Sequence, residues 1–381
     1  MLKLIIWEQG STNSKWRVNN MDKAKNNLLE ESEATAMVVG FMIGTSILAL
    51  PNGVVQSAKQ DGWIAVIIGG LYPLYIALLA IYYAKKHPNQ NILALSNIYL
   101  GRIFGNLFNV LFMVEFGVFT IVAIVSLSNI FRVHSTPFLT PIKIFIPTIL
   151  LASYLSNKGI KVLGRINKIA LYLTVILILG LLPSLKDGNY LNLLPIFGSG
   201  AKNIFKGSIE SALAYVGMEA IFLFYPLLKE RNKVKKIVLK GLFITMGIYI
   251  WVTFICIYYL GYKTTSIALW PVLLVAGQID IAALNNFKFL FLFLWGIVMF
   301  KVIANVHFAF TYIVSDVLKI KDNKKIYWII FPIAVFLCLL FKNEVQRRAF
   351  LGNVVPIIVL FNIAYISIIG LLIFIKDKWV K

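Results

Sequence analysis

The sequence predicts an all-α integral membrane protein in which ten helices cross the bilayer. Three observations support this prediction: 59% of the 381 residues are hydrophobic, only 14% are charged, and the apolar residues form long runs. A soluble chain is about 45–50% apolar and about 25% charged, so a soluble globular, disordered or fibrous protein is excluded. The two cysteines, Cys256 and Cys338, lie within apolar runs and predict neither a disulfide framework nor a metal site.

The positions of the spans follow from the length that a helix needs to cross a bilayer, about 20 mostly apolar residues. The predicted spans cover residues 34–57, 62–84, 103–131, 141–157, 163–183, 203–228, 237–260, 286–318, 326–341 and 352–375. Together they form one transmembrane domain over 34–375. Residues 1–33 are polar and predict a cytoplasmic tail without a cleavable signal, and residues 376–381 predict a second cytoplasmic tail. Residues 264–285 predict an interfacial or re-entrant segment, because their apolar stretch is short.

The basic residues alternate between the two sides of this arrangement. Of the 37 Lys and Arg residues, 25 fall in the two tails and in the loops that share their side, 11 fall on the opposite side, and Lys301 lies inside span eight. Cytoplasmic loops carry an excess of Lys and Arg, so both termini are predicted to be cytoplasmic, as an even number of spans requires. The net charge of +21 therefore reflects topology in a lipid bilayer. It does not indicate a nucleic-acid partner, because the basic residues form no single patch.

Two spans contain helix-breaking residues near their middle. Span one has the run FMIGTSIL at 41–48 followed by Pro51, and span six has AYVGME at 214–219 followed by Pro226. Proline removes a backbone hydrogen bond, and small or hydroxyl residues allow a membrane helix to unwind. Each of these spans is the first in a block of five, and an odd number of spans inverts the second block relative to the first. Interruptions at matching positions of inverted halves indicate a transporter-like binding site.

The two breaks predict a site for a small molecule that carries both charges, such as an amino acid. A break exposes free amides at the positive end of one helix dipole and free carbonyls at the negative end of the other. We expect the carboxylate of the ligand to bind the amides after Gly44 and its ammonium group to face the carbonyls around residues 214–216. The predicted ligand-binding residues are Gly44, Thr45, Ser46, Tyr215, Val216, Gly217 and Glu219.

Three ionisable residues are predicted near the middle of the bilayer: Glu115, Glu219 and Lys301. Charges at this depth cost about 2.5–3.5 kcal/mol each on insertion scales and usually face the interior of the bundle. We expect Lys301 to form an ion pair with one glutamate. The other acid then binds the ammonium group of the ligand, carries a proton or is simply protonated. Glu219 is the first choice for a functional role because it lies beside the break at Gly217.

The two interrupted runs, 41–51 and 215–229, resemble the first and sixth helices of the spore germination permeases. These are the B subunits of GerA-type germinant receptors of endospore-forming bacteria, and the resemblance extends over about residues 34–375. It implies a fold of the amino acid–polyamine–organocation superfamily, which is a LeuT-like 5+5 inverted repeat with helices 1 and 6 broken. In such folds the eighth helix faces the first, where some members bind sodium. A lysine at position 301 would replace that ion.

The resemblance also implies a function. The chain is expected to bind a small nutrient germinant, an amino acid or a similar compound, and to act with A and C subunits in the spore inner membrane. A proton- or cation-coupled amino acid transporter of the same fold is the alternative, and a water or ion conduit within a larger complex is a third. No catalytic constellation is present in the sequence, so neither an enzyme nor a cofactor is predicted.

Overall fold

The computed structural model describes residues 28–44, 46–279, 287–320 and 323–379. Within these ranges the regular structure is helical, apart from one isolated bridge between Leu29 and Leu228. The α-helices in chain order are α1 (Glu31–Met42), α2 (Ser46–Ala58), α3 (Gly62–Gly69), α4 (Leu71–Lys86), α5 (Ile92–His134), α6 (Pro141–Asn157), α7 (Ile160–Leu179), α8 (Ser184–Asp187), α9 (Ala201–Ala214), α10 (Ile221–Phe224), α11 (Val234–Ile267), α12 (Pro271–Ala276), α13 (Phe287–Leu318), α14 (Asn323–Leu339) and α15 (Glu344–Trp379). Short 3-10 turns cover Lys59–Asp61, Tyr190–Leu193, Met218–Ala220, Tyr225–Leu227 and Arg231–Lys233.

The lengths and compositions of these helices are those of a membrane protein. In the described ranges, six helical stretches are long and apolar enough to cross a bilayer, or seven if a bent pair counts as one span. The six are Ser46–Lys86, Ile92–His134, Ile160–Asp187, Arg231–Ile267, Phe287–Leu318 and Glu344–Lys376, and the bent pair is Ala201–Ala214 with Met218–Leu227. The predicted total of ten remains a prediction, because it also counts shorter helices such as α6 and α14, which have 17 residues each.

The outer surface of the helices is apolar, as a lipid environment requires. Large hydrophobic side chains point outward along the bundle: Ile103 of α5 and Trp328 of α14 are 83% and 73% exposed, and Phe138 in the turn between α5 and α6 is 77% exposed. A soluble monomer seldom exposes contiguous apolar patches of this kind. The exposed surface therefore agrees with the composition in assigning this chain to a membrane.

Both predicted helix breaks are present. The first separates α1, which ends at Met42, from α2, which begins at Ser46. The second follows α9, which ends at Ala214, and the chain continues from Met218 at an angle of 42°. Gly217 lies in this second break with a φ of 114°, a conformation that favours glycine. The interrupted helices that the sequence predicts are thus confirmed.

The broken helices pack in the interior of the bundle. α1 contacts α7 and α11, whereas α2 contacts α9 and α11. α13 lies alongside α5 and α7 and also contacts α1. The long helices α5 and α11 bend at Gly101 and Gly261, where φ is 76° and 74°. The predicted third span, 103–131, therefore begins just after a bend, and residues 92–100 form a separate arm before it.

The chain that precedes α1 closes one face of the bundle. We call this face the N-terminal face and define it by Leu29, Glu30, Lys161 and Leu228. The amide of Leu29 donates a hydrogen bond to the carbonyl of Leu227 at 2.9 Å, and the amide of Lys229 donates to the carbonyl of Leu29 at 2.9 Å. These bonds connect the start of the first broken helix to the end of the second.

Ion pairs reinforce the N-terminal face. Lys161 contacts Glu30 at 3.1 Å and Glu33 at 2.8 Å, and Lys236 contacts Glu31 at 2.6 Å. The hydrogen bond from the Lys161 ammonium group lowers the pKa of the Glu30 carboxyl. Acidic residues in the first turn of a helix also interact favourably with its positive end. The helix thus begins at Glu31, three residues before the predicted start of span one at 34, and its acidic first turn binds the basic loops.

Candidate ligand-binding site at the helix breaks

A cavity of about 340 Å³ lies between the two helix breaks. Four of the predicted ligand-binding residues line it: Gly44 and Ser46 from the first break, and Val216 and Gly217 from the second. Small-molecule sites in proteins have volumes of about 300–1,000 Å³, so the cavity suits one small ligand. Thr45, also predicted here, lies outside the described residues.

Two predicted residues are placed behind the cavity. Tyr215 is fully buried, and its hydroxyl donates a hydrogen bond to the carbonyl of Val66 at 3.3 Å. Glu219 is also fully buried, and its Oε1 accepts a hydrogen bond from the Gly217 amide at 2.8 Å. Neither residue is part of the cavity lining. Their position indicates that they support the second break from behind.

One wall of the cavity is apolar. It is formed by Phe119 and Val122 of α5 and by Met299, Val302 and Val306 of α13. The two breaks bring the polar backbone ends of α1, α2 and α9 to the same cavity. The cavity therefore combines a polar end that suits the charged groups of an amino acid with an apolar wall that suits a hydrophobic side chain.

The far end of the cavity is lined by charged residues: Glu210 of α9, and Arg347 and Arg348 of α15. Glu210 is exposed, so the cavity reaches the surface there. Glu344 holds both arginines, with Arg347 Nη2 at 2.5 Å and Arg348 Nε at 3.0 Å from its Oε1. This end of the cavity therefore places two guanidinium groups and the carboxylate of Glu344 close to the acidic Glu210. The sequence interpretation counted these arginines only as loop charges.

Tyr249 of α11 connects the two breaks, and sequence reasoning did not identify it. Its hydroxyl lies 2.7 Å from the carbonyl oxygen of Met42, at the end of α1, and 3.1 Å from that of Ala214, at the end of α9. The hydroxyl oxygen of Ser46 lies 2.7 Å from the hydroxyl oxygen of Tyr249. A single tyrosine hydroxyl thus binds both interrupted helix ends. A tyrosine in a long apolar helix gives no sequence pattern that would reveal this contact.

Tyr249→Phe is expected to weaken ligand binding by roughly 10-fold, which corresponds to about 1.4 kcal/mol. The substitution removes the hydroxyl that joins the two breaks, and a buried hydrogen bond contributes about 0.5–1.5 kcal/mol. Equilibrium binding to the purified protein measures the effect. Tyr258→Phe is the matched control on the same helix, because its hydroxyl bonds to Leu185 instead. Equal affinities in both variants would contradict the role of Tyr249.

Lys301 of α13 lies at the first break. It is 2% exposed, and its Nζ donates a hydrogen bond to the carbonyl oxygen of Ile43 at 3.4 Å. A cation at the carboxyl end of a helix interacts favourably with the dipole. The expected ion pair between Lys301 and a glutamate is not formed: in the described part of the chain, no carboxylate lies within ion-pair distance of Lys301. Lys301 instead faces the end of α1, and Glu115 faces Glu219.

A helical bundle in which two interrupted helices surround a central cavity belongs to the LeuT-like class of membrane proteins. The transporter MhsT, solved in complex with L-phenylalanine, has a TM-score of 0.63 at 15% identity, over 92% of this chain and 89% of its own. A Na⁺-coupled sialic acid symporter in a substrate-bound outward-open state has a TM-score of 0.61 at 11% identity, over 96% and 79%. At these identities the similarity shows the fold, and the predicted LeuT-like fold is confirmed.

Comparison of its sequence with known families shows the family of this chain. A family model described as "Spore germination protein" matches residues 28–347, and the chain belongs to this spore permease family. Its relatives include spore germination protein YndE of Bacillus subtilis (strain 168), 24% identical over 92% of this chain and 96% of YndE. Spore germination protein GerQB of Bacillus cereus is 21% identical over 72% and 75%. The resemblance carried by the two interrupted runs is thus confirmed.

Proposed function

We propose that this protein is the B subunit of a germinant receptor, which binds an amino acid or a similar nutrient and triggers germination together with A and C subunits. The observation that supports this function is the cavity between the two helix breaks, in a chain of a spore germination family. The relatives named B2, A2 and GerQB are spore germination proteins. MhsT, which shares the fold, was solved with L-phenylalanine.

The polarity of the helix ends supports one orientation of the ligand. α2 begins at Ser46, so its positive end faces the cavity, whereas α9 ends at Ala214 and presents its negative end. The carboxylate of the ligand binds near Gly44 and Ser46, and its ammonium group lies near Ala214. The negative end of α1 is already occupied by Lys301.

The position of Lys301 supports a ligand site that does not require sodium. Its ammonium group already supplies a positive charge to the carbonyl of Ile43 between α1 and α13. The carbonyl end of a broken helix is where transporters of this class bind a coupling cation. Lys301 takes the place of that cation, which makes a sodium-coupled transporter the less favoured alternative.

Membership of a spore germination family supports a location in the spore inner membrane, and the excess of basic residues beside the two termini supports a cytoplasmic position for both. In this orientation the basic N-terminal face contacts the cytoplasm, and the cavity reaches the opposite surface beside Glu210. A germinant that arrives from outside the membrane then reaches the breaks past Arg347 and Arg348.

Gly44→Leu is expected to raise the germinant concentration for half-maximal germination by at least 100-fold. The added Cβ would lie 3.3 Å from Val302 Cγ1, and the remaining side chain would fill the cavity that Gly44 lines. The measurement is a dose response of spores that lack the native receptor subunit and carry this chain. Gly247→Leu is the control, since open space surrounds that glycine. A normal response of Gly44→Leu would exclude this site.

A different measurement separates the receptor from the alternative function. Ligand uptake into vesicles that hold this chain alone would identify a transporter.

A further inference from the structure

Two buried glutamates lie against each other behind the second helix break. Glu115 of α5 is 2% exposed and Glu219 is 0% exposed, and their carboxyl groups are within hydrogen-bonding reach of each other. In the described part of the chain, neither forms an ion pair with a basic residue. Two adjacent carboxylates cannot both be ionised in an apolar interior without strong repulsion.

The hydrogen bonds of the four carboxyl oxygens show that two of the oxygens lack a donor. Glu115 Oε1 accepts a hydrogen bond from Asn362 Nδ2 of α15 at 2.9 Å, and Glu219 Oε1 accepts one from the Gly217 amide at 2.8 Å. The other two oxygens, Glu115 Oε2 and Glu219 Oε2, are buried and receive no N–H or O–H donor. A buried polar oxygen without a donor is unfavourable by about 1–3 kcal/mol. One proton placed between these two oxygens satisfies both.

We propose that Glu115 and Glu219 form a proton-binding site that holds one proton, with Glu115 Oε2–H donating to Glu219 Oε2. The pair then carries a single negative charge, and all four oxygens have a hydrogen-bond partner. Release of the proton to water leaves two adjacent carboxylates. Uptake of a second proton neutralises Glu219, which makes it a weaker acceptor for the Gly217 amide.

The proton site is connected to the helix break through that amide. Glu219 accepts from Gly217, and Gly217 lies so close to α1 that a Cβ there would be 2.5 Å from the Phe41 carbonyl oxygen. The shared proton therefore fixes the second break against α5 and α15. Tyr72 of α4 is the further titratable group near the pair, and it interacts electrostatically with both glutamates. Proton loss is expected to loosen the break and with it the cavity.

Infrared spectroscopy of the purified full chain at neutral pH, without any ligand, tests the proton site. We expect a carbonyl stretching band of a protonated carboxylic acid in the wild type. Glu115→Gln and Glu219→Gln should each remove this band, because a glutamine amide donates to the remaining carboxylate in place of the proton. Glu230→Gln, at an exposed position, is the control and should leave the band unchanged.

A wild-type spectrum without the band, or a band that survives both substitutions, would overturn the proposal. If neither glutamine variant folds, Glu115→Asp keeps the acid but changes its geometry, and it should shift the band. An unshifted band would then place the proton elsewhere and overturn the proposal. Because no ligand is present, this result is independent of whether the cavity binds an amino acid. Failure of the proposed receptor function and failure of the proton site are therefore distinguishable.

Discussion

Replacing Gly217 with alanine is expected to abolish the response of spores to the germinant. A residue other than glycine at a φ of 114° is strained by about 1–3 kcal/mol. The added Cβ would also lie 2.5 Å from the carbonyl oxygen of Phe41, a backbone atom that side-chain rotation cannot move away. Both costs act on the second break, so we expect ligand affinity to fall by at least 100-fold, or about 2.7 kcal/mol.

The control for Gly217→Ala is Gly247→Ala, because a Cβ at Gly247 meets nothing within 4 Å. The dose response of germination and the melting temperature of the purified protein should be measured together. We expect the control to behave as wild type in both measurements. A wild-type dose response in Gly217→Ala would show that the geometry of the second break does not matter for the ligand.

Replacing Lys301 with methionine is also expected to weaken ligand binding. Methionine keeps an unbranched apolar side chain but removes the ammonium group that faces the carbonyl of Ile43. A cation at a partly buried helix end contributes up to about 2 kcal/mol. We therefore expect binding to weaken by roughly 10- to 30-fold. Sodium should partly restore it, since the carbonyl end of α1 is then free for a cation.

Lys288→Met, near the start of the same helix α13, is the matched control for Lys301→Met. Lys288 is only partly buried, and its replacement should leave affinity unchanged. Calorimetric binding with and without sodium separates the two variants. Unchanged binding in Lys301→Met, or no effect of sodium on it, would contradict the role of Lys301 as a cation substitute.

The fold and the position of the breaks could be predicted from the sequence because both depend on local chemistry. Glycine, hydroxyl residues and proline mark the interruption at Gly44, and the glycine at position 217 has the positive φ that only glycine adopts readily. Their matching positions in two blocks of five spans gave the inverted repeat. The length of apolar runs was a less reliable guide where a helix bends, as at Gly101.

The contacts within the site could not be predicted, because depth in the bilayer does not determine which helix face a residue occupies. Glu115, Glu219 and Lys301 were correctly expected to be buried, but depth alone did not show that the two acids meet while the lysine faces Ile43. Tyr249 was missed for the same reason. Its partners lie more than 30 residues away along the chain, and only the packing of α11 brings them together.

Equilibrium binding of apolar amino acids, beginning with L-phenylalanine, to the purified wild-type chain in sodium-free buffer tests the ligand site at the helix breaks most directly. We expect saturable binding of one or a few of them, lost in Gly217→Ala and weakened in Tyr249→Phe. Folded wild-type protein that binds no amino acid with or without sodium, or that binds equally well in both variants, would contradict a ligand site at the breaks.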